Sequence, residues 1–431
     1  MQLKKCLICR TMIFFISFTI GHSVWADDTE TDNTVMEDNT AFGLVNKVVS
    51  GNTLFALNLY AQLREKNSDN LFFSPYSLST ALAMTYVGAR KNTAAQMSQV
   101  LHFPEDQNEL HPAFSLLQDQ VNAAQGSNIK LRIANALWGQ EEYPFLSAFT
   151  DLVEKYYKAA VKNADFQKAD KAALARQEIN KWVEDKTNDK IKNLVKKGSI
   201  TSLTRLILVN AIYFKGNWAN PFDETNTVNT PFWMTPKKSV DVQMMNQKDY
   251  FGYTEDEMVQ VLELPYAGNQ SNAASIDDKT LSMIVILPQQ RNGLAKLEKS
   301  LSVERLDEWV SRFRWQKIRV YLPKFKINTG FELSKMLASM GMPDAFNGKA
   351  DFSGIDGEKE LSLTSIIHQA FVDVNEKGTE AAAATAVFVG TRGMPPPTPT
   401  FRADHPFIFL IRHNSSGSIL FMGKITNPIK K

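Results

Sequence analysis

Only two of the 431 residues are cysteine, Cys6 and Cys9, and both stand near the N-terminus. The rest of the chain has no thiol. That excludes a disulfide framework, a cysteine nucleophile and a thiolate zinc site. Catalytic signatures are missing too: there is no G-x-S-x-G, no H-E-x-x-H, no Walker loop and no G-x-G-x-x-G. His102, His111, His368, His405 and His413 are not paired at metal-ligand spacing, so no metal or other cofactor is expected. An enzyme would have to assemble a nucleophile and base such as Ser77 and His368. Charge of one sign is not in excess: the formal net charge is +2, which argues against nucleic acid or an anionic surface as the partner. Residues 93–125 hold no Lys or Arg, and so offer no polyanion site. The apolar run Met12–Ile20 is too short to cross a bilayer, and no membrane partner is expected.

What remains is an ordinary globular composition, 44% hydrophobic and 22% charged, long enough for a sizeable core. Lys4, Lys5 and Arg10 precede the short apolar run, and Val24 and Ala26 fit a small-residue cleavage rule. Residues 1–26 therefore read as a secretory signal, with export to the extracellular space or periplasm. Residues 27–40 (DDTETDNTVMEDNT) are acidic and nearly free of apolar side chains, and read as a disordered tail. The remainder, 41–431, has no internal repeat or interior linker and reads as one domain.

Apolar residues from Phe42 to Tyr60 recur at helical spacing, with a break expected near Gly51. Asn70–Phe73 reads as a short strand. Ser74 then caps a helix with Pro75 in its first turn. Helices are expected around 93–101, 108–123 and 146–158, with a strand over 129–139 and a long amphipathic helix over Ala172–Asn193. Leu206–Phe214 is almost unbroken in apolar residues, as a strand buried on both faces requires. Val242–Phe251, Met258–Glu263, Leu281–Leu287 and Lys317–Ile327 read as strands, and Val303–Phe313 and Gly330–Met340 as helices. Ile408–Arg412 and Ser418–Lys424 pair as a final hairpin. Lys190, Lys192, Lys196 and Lys197 form a basic cluster that reads as a solvated face. Asn269 and Asn414 stand in glycosylation sequons.

One stretch, Glu376–Arg392 (EKGTEAAAATAVFVGTR), fits none of these classes. At a period of two, one face carries Thr379, Ala381, Ala383, Thr385, Val387, Val389 and Thr391, without a charge. The other carries Glu380, Ala382, Ala384, Ala386, Phe388 and Gly390. The same run of alanines also suits a helix, and local pattern leaves both open. GMPPPTPT follows. It cannot be a central strand, because proline lacks the N–H a ladder needs.

The flanks carry a resemblance. LSLTSIIHQAFVDVNEKGTEAAAA upstream and FRADHPFIFLIRHNSSGSILFMGKITNP downstream are similar to the hinge, reactive loop and C-terminal signature of the serpins, the serine-protease-inhibitor superfamily. NLFFSPYSLSTALAMTYVGA (70–89), INKWVEDKTNDKIKNL (179–194), LILVNAIYFKGNWANPF (206–222), LPKFKI (322–327) and MGMPDAF (340–346) extend it from about Thr40 to the C-terminus. The resemblance implies an α+β serpin fold with three β-sheets, about nine helices and an exposed reactive loop over about 376–400. It implies a hinge of Glu376, Gly378, Thr379, Glu380, Ala381, Ala382, Ala383 and Ala384. Ser74, Ser77, Asn210 and His368 correspond to a polar shutter beneath the central sheet, and Trp218 to the breach at its top. Counting from Glu376, the family's reactive residue falls on Arg392, and the cut bond on Arg392–Gly393.

A basic residue at the cut suits trypsin-like serine proteases, bound in a covalent 1:1 complex by a monomeric inhibitor. Every inward hinge position is uncharged, which favours an active inhibitor over a non-inhibitory carrier or chaperone. A cut after Val389 or Thr391 would instead suit an elastase-like enzyme, and a cysteine protease is a further alternative target.

Overall fold

The computed structural model describes residues 29–159, 161–268, 280–379 and 398–430, and for 29–41 the backbone alone. The chain divides into two compact units, 1–41 and 42–431, and both sheets belong to the second.

Helix α1 (Thr29–Lys66) is continuous, with no break at Gly51. Gly51 serves close packing instead: a Cβ there would lie 2.2 Å from the His102 carbonyl oxygen. The helix also begins inside the acidic stretch that composition leaves unstructured, since each added residue adds one backbone bond once a helix is nucleated. Strand β1 (Leu71–Phe73) leads into α2 (Pro75–Tyr86). Ser74 caps this helix by accepting from the Ser77 N–H, and every residue of it is buried. Helices α3 (Lys91–Leu101), α4 (Gln107–Ala123) and α5 (Ser147–Tyr157) fall where their apolar spacing places them.

Hydrogen bonding joins the described strands into two connected sets, of six and nine strands. The six-stranded sheet contains β2 (Ile129–Gln140), β3 (Val161–Ala164), β4 (Leu206–Asn217), β10 (Phe325–Glu332), β11 (Ile366–Asn375) and β12 (Gly378–Thr379), in the order β10-β11-β12-β4-β2-β3. The nine-stranded sheet contains β1, β5 (Val228–Thr235), β6 (Lys238–Glu255), β7 (Val259–Pro265), β8 (Leu281–Pro288), β9 (Arg314–Pro323), β13 (Thr400–Arg402), β14 (Phe407–His413) and β15 (Ile419–Ile425). The 18-residue β6 makes this sheet continuous. It pairs with β5 and β9 along most of its length and with β7 at its far end.

Strand β4 explains why 206–214 is apolar without alternation. Leu206, Leu208, Ile212 and Phe214 face the main core. Ile207, Val209, Ala211 and Tyr213 face a second core with Phe166, Ile179 and Val183 of the covering layer. That layer is α6 (Ala169–Lys186) with the segments on either side of it. The expected helix to Asn193 stops at Lys186, because Asn188, Asp189 and Asn193 take positive φ, which these residue types tolerate. Asn180 ties the returning segment to the helix. Its Nδ2 donates to the Val195 carbonyl at 3.0 Å, and its Oδ1 accepts from the Val195 N–H at 2.8 Å.

Two other expectations change. Lys317–Ile327 is not one strand: Pro323 ends β9, and the chain crosses to the other sheet as β10. The ladder with β11 then holds Gly330–Glu332 extended, so the helix expected from Gly330 is shortened to α9 (Ser334–Met340). Helices α7 (Leu294–Ser300), α8 (Val303–Ser311) and α10 (Ser353–Asp356) make ten among the described residues.

The sheets meet through aromatic rings. Phe214 of β4 meets Phe421 of β15 at 5.7 Å, and Phe325 of β10 meets Phe409 of β14 at 5.2 Å. Phe72 of β1 supports both by stacking on Phe421 at 5.1 Å and on Phe409 at 5.7 Å, and Phe72, Phe409 and Phe421 are fully buried. Truncating Phe72→Ala should cost about 3–5 kcal/mol and lower the thermal denaturation midpoint. An unchanged midpoint would show that these rings do not hold the sheets together.

Candidate functional site

The site is the seam between β4 and β11. These strands run parallel and pair directly from Ile366↔Leu208 to Phe371↔Tyr213. Above Phe371 they part, and β12 lies between them. Thr379 pairs with Val374 on one side and Gly216 on the other; Gly378 pairs with Asn375 and Asn217. The chain that leads into the alanine-rich stretch is thus already a strand of the sheet for two residues.

Gly378 is required there. Its φ is +143°, and a Cβ would lie 2.2 Å from the Gly216 carbonyl oxygen. Around it, Trp218 stacks on Tyr266 at 4.7 Å and donates from Nε1 to the Asn375 carbonyl at 3.0 Å. The Lys377 carbonyl accepts from the Trp218 N–H at 3.0 Å, and the Glu376 carbonyl from the Phe222 N–H at 2.8 Å. Thr379 is fully buried, and its Oγ1 lies 3.1 Å from the Tyr266 hydroxyl. The Glu376 carboxylate pairs with Lys324 at 2.9 Å and accepts from Thr227 Oγ1 at 2.7 Å. Burial alone would push this carboxyl up. The bonds from Lys324 and Thr227 outweigh it and hold the pKa below its ordinary value.

Lower in the seam, His368 stands opposite Asn210 in register. His368 Nε2 accepts from the Ser74 backbone N–H at 3.1 Å. An amide N–H can only donate, so the ring proton is on Nδ1 and is given to Asn210 Oδ1. Asn210 Nδ2 lies 2.7 Å from Ser77 Oγ and 2.9 Å from the Ser77 carbonyl. Ser74 Oγ donates to the Leu420 carbonyl at 2.6 Å and accepts from the Ser77 N–H at 3.1 Å. The four residues singled out in the sequence therefore form one buried network across α2, β4, β11 and β15.

A fifth member, Asn135 of β2, was not singled out. It faces Asn210 in register, and its Oδ1 accepts from Asn210 Nδ2 and from Ser77 Oγ. The signal was a lone amide in the apolar run Ile133–Leu137. Tyr266, Lys324 and Thr227 at the top of the seam had no local signal. No hydrogen bond joins Ser77 Oγ to His368 among the described residues. Both ring nitrogens of His368 are engaged elsewhere, so a Ser77–His368 nucleophile–base pair is not formed.

Glu380, Ala381, Ala382, Ala383, Ala384, Arg392 and Gly393 lie outside the described residues, as do Asn269 and the signal reading over 1–26. The Asn414 amide is half-buried and donates to Ser282 Oγ at 2.8 Å, so its sequon is not freely presented.

This sheet, with a chain segment entering between its middle strands, matches a known architecture. The pattern of the serpin (serine protease inhibitor) family fits residues 50–428, and the chain belongs to that family. It is similar to leukocyte elastase inhibitor of Homo sapiens, 43% identical over 389 residues (88% of this chain, 99% of that protein). Serpin B3 of Homo sapiens is 40% identical over 404 residues (89% and 100%). Among solved structures, uncleaved ovalbumin superposes with a TM-score of 0.77 at 32% identity, covering 89% of this chain and 100% of that one. Serpin48 of the insect Tenebrio molitor gives 0.76 at 32% identity, with 91% and 99% covered. Serpins are protease inhibitors rather than catalysts, with non-inhibitory members among them. The relatives also correct the expectation of export. Leukocyte elastase inhibitor and serpins B3, B4 and B6 are intracellular serpins, and the secreted or periplasmic assignment does not stand.

The buried histidine makes the seam sensitive to acid. Burial pushes His368 down to about 3, and His111 and His413 to about 4, from 6.5. The folded pKa lies below the unfolded one, so the unfolded chain binds more protons, and stability falls as pH drops below about 6.5. Between pH 7 and 5, His368 alone should contribute a loss of about 2 kcal/mol. Thermal midpoints across that range should therefore fall less steeply in His368→Gln. An unchanged slope would remove His368 from the account.

Proposed function

We propose that this chain is a suicide-substrate inhibitor of serine proteases whose loop enters the β4–β11 seam as a new strand. The observation that supports this reading is β12, the first two residues of that strand, already seated between its two neighbours. In the proposed step the protease serine Oγ attacks the carbonyl carbon of the residue before the cut bond. The C–N bond breaks, the nitrogen leaves with a proton from the protease histidine, and an ester joins the two proteins. The freed segment continues the strand that Thr379 begins. With a cut after Arg392, the fourteen residues from Thr379 at about 3.3 Å each carry the ester roughly 45 Å, and a cut after Val389 shortens that by about 10 Å. New backbone bonds at about 1 kcal/mol apiece supply on the order of 10 kcal/mol, so the uncut form is a kinetic trap. Serpin loop insertion is an established case of strand addition.

In this reading Glu376–Ala384 act as the hinge and Trp218 marks the breach. Ser74, Ser77, Asn210 and His368, with Asn135, form the shutter. Separating β4 from β11 must break the His368–Asn210 bond. Leaving either partner buried and unpaired would cost about 1–3 kcal/mol, which holds the seam shut until a longer strand replaces it.

The target class rests on two observations that point differently. Arg392 at the family's reactive count supports a trypsin-like protease cut at Arg392–Gly393. The relatives named leukocyte elastase inhibitor, 42–44% identical to this chain, favour an elastase-like protease cut after Val389 or Thr391. The relatives weigh more, because their similarity extends over nearly the whole chain.

Incubation with elastase and with trypsin should give a denaturant-resistant band at the summed mass with at least one of them. Persistence of an elastase band in Arg392→Ala assigns the elastase-like reading; loss of a trypsin band in the same variant assigns Arg392–Gly393. Clean cleavage without a band from both enzymes would sink the inhibitor proposal and leave a carrier or chaperone role. Gly378→Ala, which cannot seat β12, should keep cleavage but raise the cleaved fraction at least several-fold.

A further inference from the structure

The basic cluster after α6 does more than face solvent. A cavity of about 520 Å³ opens between the returning segment and the sheet. One wall is residues 192–199 with Arg176 of α6. The other is the end of β10 and the start of β11, reaching down to His368. Four cations line it, Arg176, Lys192, Lys196 and Lys197, against one carboxylate, Glu332. Lys192 is 3.9 Å from Asp189, and Arg176 Nη1 is 3.5 Å from the Val195 carbonyl. Neither Lys196 nor Lys197 has an ion-pair partner among the described residues.

We infer that this cavity binds a small multivalent phosphate anion of the pyrophosphate type, and that occupancy opposes insertion into the seam. Its volume lies within the usual range for small-ligand sites. The ammonium groups of the exposed Lys192, Lys196 and Lys197 match phosphate oxygens in charge, and Arg176 adds a planar fork. A half-open cleft with a wall on each side suits a compact ion, not a long polymer.

The second half rests on the insertion reading. The wall 192–199 is fastened to α6 through Asn180 and shares the second core with β2, β4 and Phe371 of β11. The opposite wall belongs to β10 and β11. A new strand between β4 and β11 moves them apart by about 4.8 Å. The two walls then separate, and an anion bridging them loses contacts. A ligand that prefers the closed sheet must disfavour the open one to the same degree.

Titration calorimetry of the intact protein with pyrophosphate, at ionic strength matched with sodium chloride, should show saturable 1:1 binding. The double variant Lys196→Glu/Lys197→Glu should weaken it tenfold or more. No saturable binding, or equal binding in the variant, overturns the site. With the trapped protease, saturating pyrophosphate should raise the ratio of cleaved inhibitor to covalent complex at least twofold in the parent and not in the variant. An unchanged ratio in the parent overturns the coupling. If no protease is trapped at all, the inhibitor proposal fails, and calorimetry still reads the site.

Discussion

The parallel pairing of β4 with β11 is the constraint on which the rest of the molecule depends. Parallel strands need long connections, and here α7–α9 and most of the nine-stranded sheet lie between the two in sequence. Strand β4 is buried on both faces, and β11 contributes residues to both cores, so their separation disturbs two cores at once. The lower seam is closed by direct backbone pairing and by His368–Asn210. The upper seam is held open by β12. One ladder thus has two states along its length, and the boundary falls between Phe371 and Val374.

Charge and burial sort the two ends differently. At the top, Glu376 keeps its carboxylate because Lys324 and Thr227 bind the ionised form. At the bottom, His368 is neutral because nothing nearby stabilises a cation and both nitrogens are already engaged. A charged contact anchors the end where the chain enters. A neutral network, dependent on matching donors and acceptors, closes the other end.

Much of this was legible in the sequence. Elements with a strong period or a cap were placed closely: α2 by Ser74 and Pro75, β4 by its unbroken apolar run, the final hairpin by its turn. The errors arose where a long-range effect overrode local pattern. Gly51 looked like a break and proved to be a close approach to His102. The end of α6 was set by left-handed Asn and Asp residues, and Gly330–Glu332 was claimed by β11. In the site, motif similarity singled out Ser74, Ser77, Asn210 and His368, and hydrogen bonds link the four. Asn135 was missed because its partner lies far along the chain and meets it only through strand register. The compartment was misjudged because an N-terminal pattern was read without the relatives.

Strands β12 and β13, which bracket the alanine-rich stretch, sit in different sheets: β12 in the six-stranded one, β13 against β9 in the nine-stranded one. Any break between them leaves one piece rooted in each sheet. Only the piece rooted in β12 lies between two strands of its sheet; the other pairs alongside β9. On the insertion proposed above, direction of travel is a property of topology and does not depend on which bond is broken. Recognition and arrest are separable on that proposal: the bait can change with the quarry while the machinery that hauls it stays the same.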